Sequence, residues 1–126
     1  MKLSLWCYTL DKDKNVVPTK DSNETERILR SQDKIVRQNT IKDKFISTVF
    51  LSIDHDHSEK ALSYFSQEKP NPNPLVFETM IWDRSIKRWL DYQKRYYTYK
   101  ESLEGHREVV RMIIKEYREN KNASSE

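Results

Sequence analysis

The chain has one glycine, Gly105, and one cysteine, Cys7, in 126 residues. A single glycine excludes any glycine-rich phosphate loop, because such loops need several residues without a Cβ to let the backbone close on a phosphate. A single cysteine excludes an intramolecular disulfide and any zinc cluster built on thiolates, which suits a reducing cytosol. No run approaches the roughly 18 apolar residues that span a bilayer. The opening "MKLSLWCYTL" is short for a secretory signal and lacks a small-residue cleavage site. No Ser-His-Asp set and no HExxH pattern is present. These absences together predict a soluble, cytoplasmic protein without cofactor, membrane segment or assigned catalytic residue.

What is present is charge. Charged residues make up 34% of the chain and hydrophobic residues 36%, so the core has to be economical and the surface heavily solvated. The length suits one domain. Apolar patterning over 1–118 predicts that domain, and "ENKNASSE" at 119–126 has nothing to bury and reads as a disordered polar tail.

Alternation in "LSLWCYTL" (3–10) predicts a strand, and "DKDKN" turns the chain. A short helix is expected over 22–32, capped by Asn23 with Glu26 three residues on. Runs 34–41 and 45–54 read as a hairpin around "KDK", and 75–82 and 89–97 as two further strands. Thr98 and Glu101 form a capping box for a long last helix, in which Tyr99, Leu103, Val110, Ile113 and Tyr117 share an apolar face. The expected fold is α+β: an antiparallel sheet of about five strands, a short N-terminal helix, and a long C-terminal helix packed on one face.

Three polar residues interrupt the apolar patterns. In "FLSIDHDHSEK" (50–60) the strand reading carries His55 and His57 onto one face and Asp54 and Asp56 onto the other. Two histidines at that spacing can chelate, but a catalytic metal site needs a third protein ligand. A strand running out into solvent produces the same tract, and that reading is favoured. Glu78 lies inside "LVFETMIW", and His106 falls between Leu103 and Val110 beside Gly105. Convergence of His55, Glu78 and His106 where helix meets sheet would make either a polar cluster that fixes the docking of the helix or a metal site, with Asp54 behind it. The structural version is favoured, and no metal is assigned.

The segment 84–100 carries Arg84, Lys87, Arg88, Lys94, Arg95 and Lys100 against Asp91 alone, a local +5 in a chain of net +3. Trp89, Tyr92, Tyr96, Tyr97 and Tyr99 lie among them. Basic residues with aromatics can track phosphates and stack bases, and the same composition marks protein hot spots. Half-buried tyrosines with solvated lysines are the plain structural reading. If the segment is a binding face, Arg84, Arg88, Trp89, Tyr92, Arg95 and Tyr97 are its candidates, with a protein partner favoured over single-stranded nucleic acid.

At "STVFLSIDHDH", "LVFETMIW" and "RYYTYKESLEGH" the chain resembles a family of small proteins from bacteriophages, prophages and their hosts. That pattern has a strand like STV-F/W-LGLDH, a strand like FETM-V/I-F, and RY-ST-x-EEAL-x-GH opening a final helix. Ser47 to Leu51, Asp54, His55, Phe77 to Met80, Arg95, Tyr96, Thr98, Leu103, Gly105 and His106 match it; Ser52 stands where the family has glycine, and 58–74 is a longer loop. The resemblance implies a phage or prophage setting and no reaction. The expectation is a non-enzymatic accessory protein that binds a host or phage macromolecule in the bacterial cytoplasm, with countering a host defence as one purpose. The alternatives are single-stranded nucleic-acid binding through 84–100 and metal-dependent hydrolysis through His55, Glu78 and His106.

Overall fold

The computed structural model describes residues 6–124, with side-chain burial as far as 120. The first residues of the expected opening strand and the last two of the expected tail lie outside the described residues. The fold is α+β, but the strands form two antiparallel sheets rather than one. A small hairpin of β1 (Cys7–Leu10) and β2 (Val16–Thr19) stands apart from a four-stranded sheet. The larger sheet runs β3 (Ile35–Ile41), β4 (Lys44–Phe50), β5 (Phe77–Asp83) and β6 (Arg88–Tyr96) in sequential order.

The expectation that the first strand joins the main sheet is therefore corrected. Its partner is "VVPT", too short and too proline-bearing to read as a strand from sequence; Pro18 is tolerated because a two-stranded sheet consists of edges. The turn forms as expected: Asp11 Oδ1 accepts the N–H groups of Asp13 and Asn15, both at 2.9 Å. Helix α1 (Ser22–Arg30) follows, and its cap is Asp21 rather than Asn23. Asp21 has extended backbone, and its carboxylate accepts from Asn23 N–H at 3.0 Å and Glu24 N–H at 3.4 Å, where a negative charge also favours the helix start.

The stretch read as strand 45–54 ends earlier, at Phe50, because Ser52 takes left-handed backbone at φ 68°. Ser52 is fully buried, its hydroxyl donates to Tyr8 O at 2.6 Å, and its carbonyl accepts from Tyr8 N–H at 2.8 Å. This reciprocal pair fastens the small hairpin to the end of β4. The long connection to β5 contains α2 (Glu59–Ser66), capped by Ser58. With glycine so scarce, Lys14, Lys42, Glu68 and Lys87 also turn the chain at positive φ. Lys42 serves the "KDK" hairpin turn.

Strand alternation splits the main sheet into two faces. Ile46, Thr48 and Phe50 of β4 and Phe77, Thr79 and Ile81 of β5 point one way and are buried. Helix α3 (Tyr99–Ser124) covers that side, and its helical backbone reaches into the stretch that composition reads as a tail. One core cluster joins Phe50, Phe77 and Tyr96, with Val76 just before β5, to Tyr8 of the small hairpin and Ile28 of α1; the other joins Ile46 and Ile81 to Val109 and Ile113 of α3.

The buried seam of α3 is Ser102, Gly105, His106, Val109 and Ile113. Leu103 is only half-buried, so the apolar stripe read from sequence is rotated by about one residue at the helix start. Small and polar side chains occupy the seam there because the sheet meets them with hydroxyls. The expected cap is present: Thr98 Oγ1 accepts Glu101 N–H at 3.1 Å and its hydroxyl donates to Glu101 Oε1 at 3.2 Å. Thr98→Ala is expected to lower stability by about 1 kcal/mol in urea denaturation, with an unchanged m-value.

Candidate functional site

The second face of the main sheet holds two of the candidate binding residues, Trp89 and Arg95. Register places Phe45, Trp82 and Trp89 in one cross-strand row, Ser47, Met80 and Gln93 in the next, and Val49, Glu78 and Arg95 in the third. The main sheet's principal helix contacts are all with α3, on the other side. Trp82 and Trp89 meet edge to face with ring centroids 5.3 Å apart, and Trp89 remains 45% exposed. Beside them Arg95 Nε donates to Glu78 Oε2 at 2.9 Å, an opposite-charge pair directly across two strands. Glu78 is 7% exposed, so the partner that a carboxylate in an apolar run requires is Arg95.

The sequence-derived candidates are distributed unevenly. Trp89 and Arg95 lie on this open face. Tyr92 packs into the cluster under α3, and Arg88 pairs in register with Asp83 on the α3 side. Lys94, also on that side, meets Glu108 of α3 at 3.6 Å. Arg84 sits at the turn after β5, where its N–H donates to Asp43 O at 2.7 Å, and Tyr97 is half-buried past the end of β6. The basic residues of 84–100 thus do not line one groove. Trp82 and Phe45, missed in the sequence reading, complete the aromatic row; their spacing from Glu78 and Ser47 by even numbers of residues was the available signal.

The trio His55, Glu78 and His106 does not form. Glu78 faces away from α3, whereas His106 is fully buried beneath it. His55 lies past the end of β4 near Arg95 and Glu78; burial, then the charge of Arg95, push its pKa below the ordinary histidine value, with Glu78 acting in the opposite sense. Asp54 is occupied by the loop, accepting from Asp56 N–H, Leu75 N–H and Asn71 Nδ2. Among the described residues no group of three His, Cys, Asp or Glu side chains is placed to hold a metal ion.

His106 has a different set of partners. Its Nε2 lies 2.7 Å from Asn39 Oδ1, an acceptor, which assigns the ring proton to Nε2. Nδ1 then accepts from Thr48 Oγ1 at 2.7 Å. Thr48 Oγ1 accepts in turn from Thr79 Oγ1 at 2.5 Å, and Thr79 from the Tyr96 hydroxyl at 3.1 Å. Every hydroxyl in this file donates toward the imidazole, so a second ring proton would require the Thr48 hydroxyl to turn away and the file to rearrange. Burial, followed by the nearby charge of Arg37, brings the His106 pKa down to about 4. Tyr96 in turn packs against Gly105, filling the space a Cβ there would take. The cluster fixes the docking of α3 on the sheet and leaves no lone pair of His106 free for a metal or substrate.

Comparison of the chain with known protein families, curated proteins and solved structures finds no match. Among the described residues no helix is long and apolar enough to cross a membrane.

Proposed function

We propose that this chain is a non-enzymatic accessory protein of phage or prophage origin that docks a host or phage protein on the open face of its four-stranded sheet. The observation that carries this reading is the uncovered row of Phe45, Trp82 and Trp89 beside the Arg95–Glu78 pair. Aromatic side chains and a partly buried arginine, with few free charges, are the composition of an interface centre.

The phage motifs support it from another direction. Gly105, His106, Tyr96, Thr48 and Thr79 all belong to the docking of α3, and position 52, glycine in the resembled pattern, has the left-handed backbone glycine favours. Many of the matched residues therefore build a scaffold, while matched Glu78 and Arg95 form the ion pair on the open face. Trp82 stands where the pattern has phenylalanine, and Phe45 and Trp89 stand outside the match. A common scaffold with a face that is shared in part and differs at Phe45 and Trp89 suits binding proteins that take different partners. Action in the bacterial cytoplasm against a host defence is a purpose this reading accommodates.

The nucleic-acid alternative is weakened by the segregation of the cations, since tracking a phosphate backbone needs them along one groove. The hydrolase alternative is weakened by the separation of His106 from His55 and Glu78 across the sheet. The test compares wild type, Trp82→Ala/Trp89→Ala and the distant control Val17→Ala in quantitative capture from host and infected-cell lysates. A partner held by wild type and control should be lost by at least about tenfold in the double variant, the cost of removing a hot spot. Equal retention by a folded double variant overturns the proposal, and salt-sensitive capture of oligonucleotide in its place moves the assignment to nucleic acid.

A further inference from the structure

A cleft of about 320 Å³ opens between α2, the start of β1 and the chain after Ser52. It lies at the Phe50 and Phe77 end of the main sheet, away from the Trp82 and Trp89 end. Tyr8 and Ala61 form its buried floor; Ile53, Leu62 and Phe65 on its walls are 54%, 49% and 52% exposed. Three large apolar side chains left half in water around one concavity are unusual in so charged a chain. The walls are fixed in place: Trp6 Nε1 donates to Glu68 O at 3.1 Å, and the Tyr8 hydroxyl donates to Asn71 O at 3.0 Å. The volume is at the lower end of the range for small-molecule sites.

Charge narrows the ligand class. The lining carries three carboxylates, Asp54, Asp56 and Glu68, against Lys69 and His57. Asp54 accepts three loop hydrogen bonds, whereas Asp56 accepts one, from Ser58 N–H, and Glu68 is exposed. Asp56 and Glu68 are therefore the lining carboxylates with most capacity left for a ligand. Trp6, Tyr8, Tyr64 and Phe65 supply aromatic faces, which attract cations and repel anions. The ammonium of Lys20, from outside the lining, already rests 4.7 Å from the centre of the Trp6 ring.

We propose that this cleft binds a small aromatic amine, with its flat apolar body against Ile53, Leu62 and Phe65 and its ammonium toward Asp56 and Glu68. The site is independent of the docking face, so the failure of either leaves the other standing. The test is NMR titration of the full chain with phenethylamine, its neutral analogue phenethyl alcohol and its anionic analogue phenylacetate. Phenethylamine should shift the Ala61 and Leu62 methyl signals and the Trp6 indole N–H, the alcohol should bind about tenfold more weakly, and phenylacetate should leave these signals in place. Asp56→Asn/Glu68→Gln keeps the Asp56 oxygen that accepts Ser58 N–H at 2.9 Å. It should bring the amine down to the affinity of the alcohol and leave the alcohol unchanged. Equal binding of amine and carboxylate, an unchanged amine affinity in the variant, or no shift from any compound at millimolar concentration overturns the proposal.

Discussion

Gly105→Ala is expected to lower the unfolding free energy by roughly 2–4 kcal/mol, although alanine is the better helix former by about 1 kcal/mol. The added Cβ would lie 2.1 Å from Tyr96 Cε1 and 2.3 Å from both Tyr96 Cζ and its hydroxyl oxygen. These are atoms of a rigid ring, not the end of a flexible chain. Tyr96 is 4% exposed and its hydroxyl is committed to Thr79, so the ring cannot withdraw without opening the core and breaking the hydroxyl file. Either α3 lifts off the sheet or the network to His106 is lost. Urea denaturation measures the effect, and a second substitution tests its cause: Tyr96→Leu should make Gly105→Ala far less costly than it is in the wild-type background. A Gly105→Ala protein as stable as wild type would show that helix and sheet are not in close contact at that point.

The second large effect is on acid stability. The folded chain holds His106 with a pKa of about 4, against 6.5 for an ordinary imidazole. Between those values the unfolded chain takes up a proton that the folded chain refuses. Stability is therefore fully present above pH 6.5 and declines as pH falls toward 4, by on the order of 3 kcal/mol. His55, also lowered, adds to the decline in the same direction. Asp83 does not contribute in that window: its carboxyl, held down to about 2 first by the Ser85 hydroxyl, loses its share of stability only below its ordinary value of 3.8. Denaturation midpoints from pH 8 to pH 4 should trace this slope. His106→Leu should be weaker at pH 7, since Thr48 and Asn39 lose their partner, yet show a much shallower slope. A wild-type profile as shallow as that of the variant would mean the imidazole gains its second proton in place.

The sequence carried the periodic elements well and the pairings poorly. The β3–β4 hairpin, the strands around Glu78 and Arg95, and the cap at Thr98 rest on local patterns a single segment contains. The small β1–β2 hairpin rests on Asp11 and on the Ser52–Tyr8 pair, and no local pattern announces a contact between residues so far apart. The same limit governs the site. Glu78 and His106 were each legible as polar groups needing partners, but which face each occupied depended on register, and a shift of one residue places a side chain on the opposite side. Thr48 and Thr79 looked like ordinary strand threonines until the antiparallel pairing set them together beneath α3. The cations of 84–100 were adjacent in sequence, yet strand alternation sends Arg95 and Lys94 to opposite faces.

The shortage of glycine leaves its mark on the outside of the molecule. At Lys14, Lys42, Glu68 and Lys87 the bends are made by residues with long charged side chains. Each bend accepts some native-state strain and in return limits the freedom of the denatured chain, which a glycine would enlarge. Lys14 and Lys87 project hydrated ammonium groups and Glu68 a carboxylate, whereas the Lys42 ammonium lies over the Tyr117 ring, 4.8 Å from its centre. The lysines at the β3–β4 and β5–β6 turns place charge beside the free borders of β3 and β6, where it opposes edge-to-edge pairing with a second chain.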